Sequence, residues 1–183
     1  MQPEFSIRKG TIEDIERIAQ ILCDAWLFAY KAIIPSEMMA EFTNLPSRTR
    51  RIRDNWNPEN LLLVAVNGDD LVCGFAMERT PCSLEGYDAQ VSSLYIDPDF
   101  SRAGVGGALL KSMAAEFCSR GLKTLAIEAL AQNEIGCSFY AKHGGVVGGG
   151  DEWHGLPCVW FVWDDFGQLI ETRTGDAGMF TTV

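Results

Sequence analysis

A glycine-rich segment at 101–107 has the residue types and spacing best suited to binding an anionic ligand. The apolar residues that follow repeat at helical spacing to about Arg120, so these glycines stand at the start of a helix. Exposed N–H groups and the helix dipole attract phosphate there, and a glycine backbone allows close approach. The candidate phosphate-binding residues are Ser101, Arg102, Ala103, Gly104, Val105, Gly106 and Gly107, with Arg102 as an additional donor. A turn with only a packing role is the alternative.

Two common phosphate-binding motifs do not fit this segment. A Walker loop requires Gly-x4-Gly-Lys-Ser/Thr, but Gly107 is followed by Ala-Leu-Leu. The dinucleotide fingerprint begun at Gly104 would need a glycine at Leu109. The segment therefore belongs to neither motif.

The elements that must position this segment can be predicted along the chain. Alternating or continuous apolar runs predict strands at 5–8, 61–66, 71–79, 89–96, 123–130, 146–147 and 158–163. Helical spacing predicts helices at 11–30, from 35 to about 56 with an interruption at Pro46, at 104–120 and at 133–142. A glycine-rich loop is expected to join the last two strands. The pattern predicts an α+β fold with helices on both faces of a mixed sheet, one domain at 1–164, and a tail or arm at 165–183.

Composition excludes several classes of function. The net charge of −10 disfavours nucleic acid as a partner, and the basic cluster at 48–53 is interpreted as a solvated helix face. No apolar run reaches the roughly 18 residues of a membrane span, and no secretory signal is evident, so a cytoplasmic location is expected. The cysteines show no zinc-like or disulfide spacing, so we expect reduced thiols and no metal.

The strand ending in Asp-Pro and the loop after it resemble motif A of the GCN5-related N-acetyltransferases. Gly104 and Gly106 match that motif, whereas Ser101 stands where the family usually has Gln or Arg. Asn133 and Tyr140 are similar to the family's Asn-x6-Tyr helix, although Gly145 replaces the customary Phe in the turn that follows. Further matches are Trp26, Tyr30 and Pro35 in the first helices, and the resemblance covers roughly 5–164.

The resemblance implies a central, mostly antiparallel mixed sheet in a three-layer α/β/α arrangement, and acetyl transfer from acetyl-CoA to an amine. It places the pyrophosphate at 101–107 and the pantetheine arm along the strand backbone at Leu94, Tyr95 and Ile96. Asn133 would contact the coenzyme, with a helix cap as the alternative role. Tyr140 would protonate the leaving thiolate, with a core tyrosine as the alternative.

The residue that accepts the amine's proton stays open at this point. Glu128 lies on a predicted strand among apolar residues, where burial would raise its pKa. Acetyltransferases that modify a ribosomal protein's N-terminal alanine have a Glu at the matching place. Glu78 is the rival, and bound water is the third candidate.

The acceptor groove implied by the resemblance lies at 26–56 and 148–157. Its aromatic residues are Trp26, Phe28, Tyr30, Trp56 and Trp153. Asp151 and Glu152 favour a cationic acceptor, while polyamines, amino-sugars, amino acids and protein N-termini all remain open. His143 and His154 are interpreted as structural and surface residues. A coenzyme A-binding regulatory module and an unrelated phosphate-binding module are the alternative functions, and a homodimer is also open.

Overall fold

The computed structural model describes residues 4–171 and contains one seven-stranded sheet with strand order β1-β2-β3-β4-β5-β7-β6. The strands are β1 (Phe5–Lys9), β2 (Leu62–Asn67), β3 (Val72–Arg79), β4 (Ala89–Ile96), β5 (Leu125–Leu130), β6 (Val146–Trp153) and β7 (Leu156–Trp163). The helices are α1 (Ile15–Ala29), α2 (Ser36–Phe42), α3 (Leu45–Asp54), α4 (Val105–Ser119), α5 (Glu134–Lys142) and α6 (Gly167–Glu171). The predicted α+β fold is confirmed.

Helices cover both faces of the sheet. The apolar side of α1, including Ile18 and Ile21, packs with Val64 and Phe75 on one face. On the other face, α4 buries its apolar stripe against β2–β5 and α6, and Phe117 of α4 is fully buried. This arrangement forms the predicted three layers.

The strands β4 and β5 run parallel but separate almost at once. They pair only at Ala89–Leu125 and Gln90–Ala126, whereas every other neighbouring pair in the sheet is antiparallel. A register shift in the β3–β4 ladder, between Met77 and Glu78, adds a local bend to β4. The carboxyl-terminal part of β4 therefore faces an opening in the sheet.

The predicted glycine-rich loop before the last strand is wrong. Residues 148–150 belong to β6, which pairs with β7 in a hairpin whose tight turn is His154–Gly155. Glycine is needed at position 148 of this edge strand because a Cβ there would lie 2.6 Å from the Val162 side chain. The register shift between Val147 and Gly149 absorbs one residue as a bulge.

The packed chain continues past residue 164. Phe166 and Leu169 of the last turn and α6 are buried in the core, and the Phe166 ring meets Phe117 at 6.2 Å. Residues 172–183, most of the predicted tail, lie outside the described residues. Within 4–171, no helix is long and apolar enough to cross a membrane.

Candidate active site

The amino terminus of α4 is open where the sequence predicts a phosphate site. Side chains cap α3 and α5, because Asn44 Oδ1 accepts from Ser47 N–H and Asn133 Oδ1 accepts from Gly136 N–H. No side chain within the described part of the chain caps α4, and its first turn has no acidic residue. The first N–H groups of α4 are therefore free to bind an anion.

The backbone just before α4 is left-handed at two residues. Arg102 and Gly104 have φ of +64° and +86°, and glycine adopts that conformation without strain. A Cβ at Gly104 would meet no protein atom within 4 Å. Glycine at position 104 is therefore explained by its backbone conformation and by space that a ligand can fill.

The next two glycines have a different explanation. A Cβ at Gly106 would lie 3.3 Å from the Phe139 ring, and one at Gly107 would lie 2.9 Å from His143 Nε2. The His143 ring is fixed because Nδ1 donates to the Phe139 carbonyl at 2.8 Å. Close packing of α4 against α5 therefore explains Gly106 and Gly107, and His143 helps to hold the two helices together.

An ion pair fixes the end of β4 just before the open helix terminus. Arg17 of α1 binds the Asp97 carboxylate and also donates to the Val72 carbonyl at 3.0 Å. Asp97 in turn accepts from the Asp99 N–H at 3.0 Å. This contact holds the strand end against α1 and was not predicted from the sequence.

The residues predicted to contact the pantetheine arm lie along the separated part of β4. Leu94 and Ile96 direct their side chains to the α4 face, and Tyr95 directs its ring to the α1 face. The Tyr95 hydroxyl accepts a hydrogen bond from Trp26 Nε1 at 3.1 Å. Burial raises the pKa of Tyr95, so its hydroxyl stays protonated.

Asn133 links α5 to the end of α1. While its Oδ1 caps α5, its Nδ2 donates to the Tyr30 hydroxyl at 3.2 Å. Burial, followed by the nearby Tyr95 hydroxyl, raises the pKa of Tyr30. The capping role proposed for Asn133 is therefore present, together with a contact to the aromatic side of the site.

The Tyr140 side chain is buried on α5, where its ring packs against Phe161 at 5.5 Å and Phe139 at 5.3 Å. Burial raises the pKa of Tyr140, and the neighbouring Tyr95 hydroxyl raises it further. Its own hydroxyl makes no hydrogen bond to any residue in 4–171. A protonated and unengaged phenol near Tyr95 can act as a proton donor.

Glu128 lies on β5 and shares its face of the sheet with Ala126 and Leu130, whose neighbours include Trp160 and Tyr30. Burial raises the pKa of Glu128, and the negative charge of Asp151 raises it further. Arg79 and a hydrogen bond with Cys158 oppose these effects. The predicted direction of the shift is confirmed, and a carboxylate of raised pKa is suited to accept a proton.

Glu78, the rival base, is already engaged. Its carboxylate accepts from Arg120 at 2.9 Å and 3.0 Å, from Leu61 N–H at 2.7 Å and from Thr80 Oγ1 at 3.0 Å. Burial alone would raise its pKa, but these hydrogen bonds hold the pKa below its usual value. A carboxylate in this environment is a poor proton acceptor and a good structural link.

Comparison with known proteins identifies the family. The family model described as the Acetyltransferase (GNAT) family matches residues 17–145. The chain belongs to this family. It is an acetyltransferase, as the resemblance in the sequence predicts.

Two curated relatives of this acetyltransferase cover most of its length. The uncharacterized N-acetyltransferase YuaI of Bacillus subtilis is 28% identical over 131 residues, covering 70% of this chain and 73% of YuaI. The spermidine N(1)-acetyltransferase of Thermoplasma acidophilum is 26% identical over 149 residues, covering 76% of this chain and 87% of the relative. A PaiA N-acetyltransferase from the same organism, solved with coenzyme A, matches the fold with a TM-score of 0.66 at 23% identity. The match covers 86% of this chain and 98% of the PaiA chain.

The aromatic residues predicted to line the acceptor groove of this acetyltransferase divide into two sets. Trp26, Tyr30 and Trp153 come together, with ring centroids 5.2 Å and 5.7 Å from Trp26. Phe28 is 65% exposed, and Trp56 packs against the apolar cluster between α1 and the sheet, which Trp26 also contacts. Phe42, which was not predicted as part of the groove, joins the first set with its ring 5.2 Å from Trp26 and 5.1 Å from Trp153.

Proposed function

We propose that this acetyltransferase moves an acetyl group from acetyl-CoA to a primary amine, with both substrates bound at once. The observation that carries the proposal is the uncapped amino terminus of α4, which lies directly beyond the separated end of β4. Backbone N–H groups at 105–107 and Arg102 would hold the pyrophosphate. Coenzyme A in complex with the PaiA structure supports this choice of cosubstrate.

Acetyl-CoA supplies a thioester, and the amine forms a C–N bond to its carbonyl carbon while the C–S bond breaks. An alkyl ammonium has a pKa of about 10.4, so at pH 7 most of the amine is charged and must lose a proton before it can attack. We assign that proton to Glu128, whose pKa is raised by burial. Tyr140 gives a proton to the departing thiolate, since its hydroxyl is protonated and free of other hydrogen bonds among the described residues.

The first experiment measures thiol release from acetyl-CoA with a panel of amines. The panel includes spermidine, which is the substrate named for the relative from Thermoplasma acidophilum. Release above the hydrolytic background with at least one primary amine, and an acetylated product of matching mass, are expected. Release at the background rate with every amine would overturn the proposal.

Tyr140→Phe tests the proton donor. The variant keeps the buried ring and removes only the hydroxyl, so acetyl-CoA affinity should be retained and kcat should fall by about ten-fold or more. Tyr87→Phe is the matched control, because the Tyr87 hydroxyl donates a hydrogen bond to Asp164 Oδ1 at 3.0 Å on the surface of the molecule. An unchanged kcat in Tyr140→Phe under conditions where chemistry is rate-limiting would assign Tyr140 to the core alone.

A further inference from the structure

Arg48 lies against the aromatic residues of the acceptor side. Its guanidinium carbon is 5.3 Å from the Trp26 ring centroid and 5.1 Å from that of Phe42, and the side chain is half-buried. Arg50, Arg51 and Arg53 of the same helix are exposed. The predicted solvated basic face is therefore wrong for Arg48, which turns inward because it shares the inner face of α3 with Ile52.

Within the described part of the chain, the Arg48 guanidinium has no carboxylate partner. Nε and Nη2 both donate to the Phe42 carbonyl, at 3.0 Å and 2.6 Å, and so satisfy the end of α2. No carboxylate oxygen of the described residues lies within 4.0 Å of Arg48, and Nη1 donates to none of their atoms. The Nη1 side of the guanidinium is therefore available to bind a ligand.

Other partly buried arginines of the chain are neutralised. Arg8 and Arg17 each bind a carboxylate, on Asp14 and Asp97 respectively. Burial lowers the pKa of Arg48, and the opposing effects of Cys23 and the Glu41 charge, which forms no ion pair with it, do not restore that pKa. A half-buried guanidinium without an ion partner is best explained by a ligand that brings the negative charge.

The location of Arg48 connects it with the reacting centre. Trp26, which lies under the guanidinium, donates a hydrogen bond to the Tyr95 hydroxyl on the separated part of β4. The charge of Arg48 also acts on Tyr95, where it opposes the effect of burial on the hydroxyl. The Trp26 ring thus connects Arg48 with Tyr95 on the separated part of β4, along which the thioester would lie.

We infer that the acceptor carries an anionic group, most simply a carboxylate, within a few bonds of its amine, and that Arg48 binds this group. The inference rests on the proposed function and narrows its substrate class to amino acids and similar zwitterionic molecules. The amine would face Glu128 and Asp151, whose negative charges suit an ammonium. The two ends of the site therefore have opposite charges, as a zwitterion requires.

The test uses acceptors matched except for the anionic group. Each amino acid in a panel is compared with its carboxamide, and kcat/KM for acetylation is expressed per uncharged amine, because amidation also lowers the pKa of the amine. Wild-type enzyme should prefer the acid of its best pair by about ten-fold or more. Arg48→Gln should reduce this preference to near one, and Arg48→Lys should retain part of it because the charge remains but the fork is lost.

The ratio of kcat/KM for the acid to that for the amide does not depend on the fraction of enzyme that is folded. A loss of folded enzyme, caused by losing the hydrogen bonds from Arg48 to α2, therefore cannot produce the expected change in this ratio. Arg51→Gln, on the exposed side of the same helix, is the control and should keep the wild-type ratio. A wild-type ratio near one, or a ratio unchanged in Arg48→Gln, would overturn the inference while acetylation of the amines upholds the proposed function. Failure to acetylate any amine would overturn both.

Discussion

Glu128 and Glu78 are both carboxylates on strands of the sheet, but their surroundings favour opposite protonation states. Glu128 is surrounded by apolar residues and lies near Asp151, which raises its pKa. Glu78 is held by Arg120 and Leu61 N–H, which keep its pKa low. A base must take up a proton in turnover, so only the environment of Glu128 suits that role.

Glu128→Gln tests this difference. The substitution keeps shape and hydrogen bonding but removes the basic oxygen, so kcat at pH 7 should fall on the order of ten- to a hundred-fold. Part of the rate should return at high pH, because more of the amine is then uncharged. The measurement is the pH profile of kcat with a fixed amine.

Glu78→Gln is the companion variant. It should keep the wild-type pH profile, although it weakens a buried ion pair and lowers stability by about 1–3 kcal/mol. If Glu78→Gln shows the loss instead, the two roles are exchanged. Equal wild-type profiles for both variants would assign the proton to water.

At the residue scale, the sequence was informative where chemistry follows from type and spacing. Burial of Glu128 and the cap at Asn133 could be predicted because a strand or helix position fixes them. Arg48 could not, since its role depends on Trp26 and Phe42, which come from other helices. The one local signal was its place three or four residues from Leu45 and Ile52 on the inner face of α3.

At the scale of elements, the proposed phosphate site at the amino terminus of α4 can be tested by comparing the glycines at the two ends of the helix. Gly104 precedes the helix with φ of +86°, and Gly121 follows it with φ of +79°, and neither would bring a Cβ within 4 Å of a protein atom. Alanine at either position should therefore cost a similar amount, about 1–2 kcal/mol, for the left-handed backbone.

Only Gly104→Ala should weaken acetyl-CoA binding, because only that end of α4 faces the proposed pyrophosphate. Isothermal titration should give about a ten-fold increase in Kd for Gly104→Ala and little change for Gly121→Ala. Equal affinities in the two variants would contradict a phosphate site at α4. Gly106 is a poorer probe, since a side chain there would press on Phe139 before it met a ligand.

The order and bounds of most elements could be predicted from periodicity and caps, but β6 could not. Its glycines at 148–150 indicate a loop by local preference, and pairing with β7 overrides that preference. The parting of β4 and β5 also has no local signature. The separation depends on the pairing of β4 with β3 and of β5 with β7, which the spacing of apolar residues does not encode.

At the scale of the whole molecule, ion pairs connect the sheet with both helical layers. Arg8 of β1 holds Asp14 before α1 at 2.8 Å and 2.9 Å, and Glu78 of β3 holds Arg120 after α4. The hydrogen bond from Arg8 lowers the pKa of Asp14 against the opposing effect of burial. These two carboxylates therefore stabilise the fold when they are charged.

Acid should destabilise the protein through Asp14 and Glu78. A carboxyl group whose pKa is lower in the folded state stabilises the fold above its unfolded pKa, about 4, and this stability is lost as pH falls through the folded pKa. The melting temperature should thus drop steeply below about pH 4. The double variant Asp14→Asn/Glu78→Gln should melt lower at pH 7 and show a shallower fall in acid, whereas Asp54→Asn, at an exposed position, should follow wild type. Parallel curves for wild type and the double variant would show that other groups govern the loss of stability in acid.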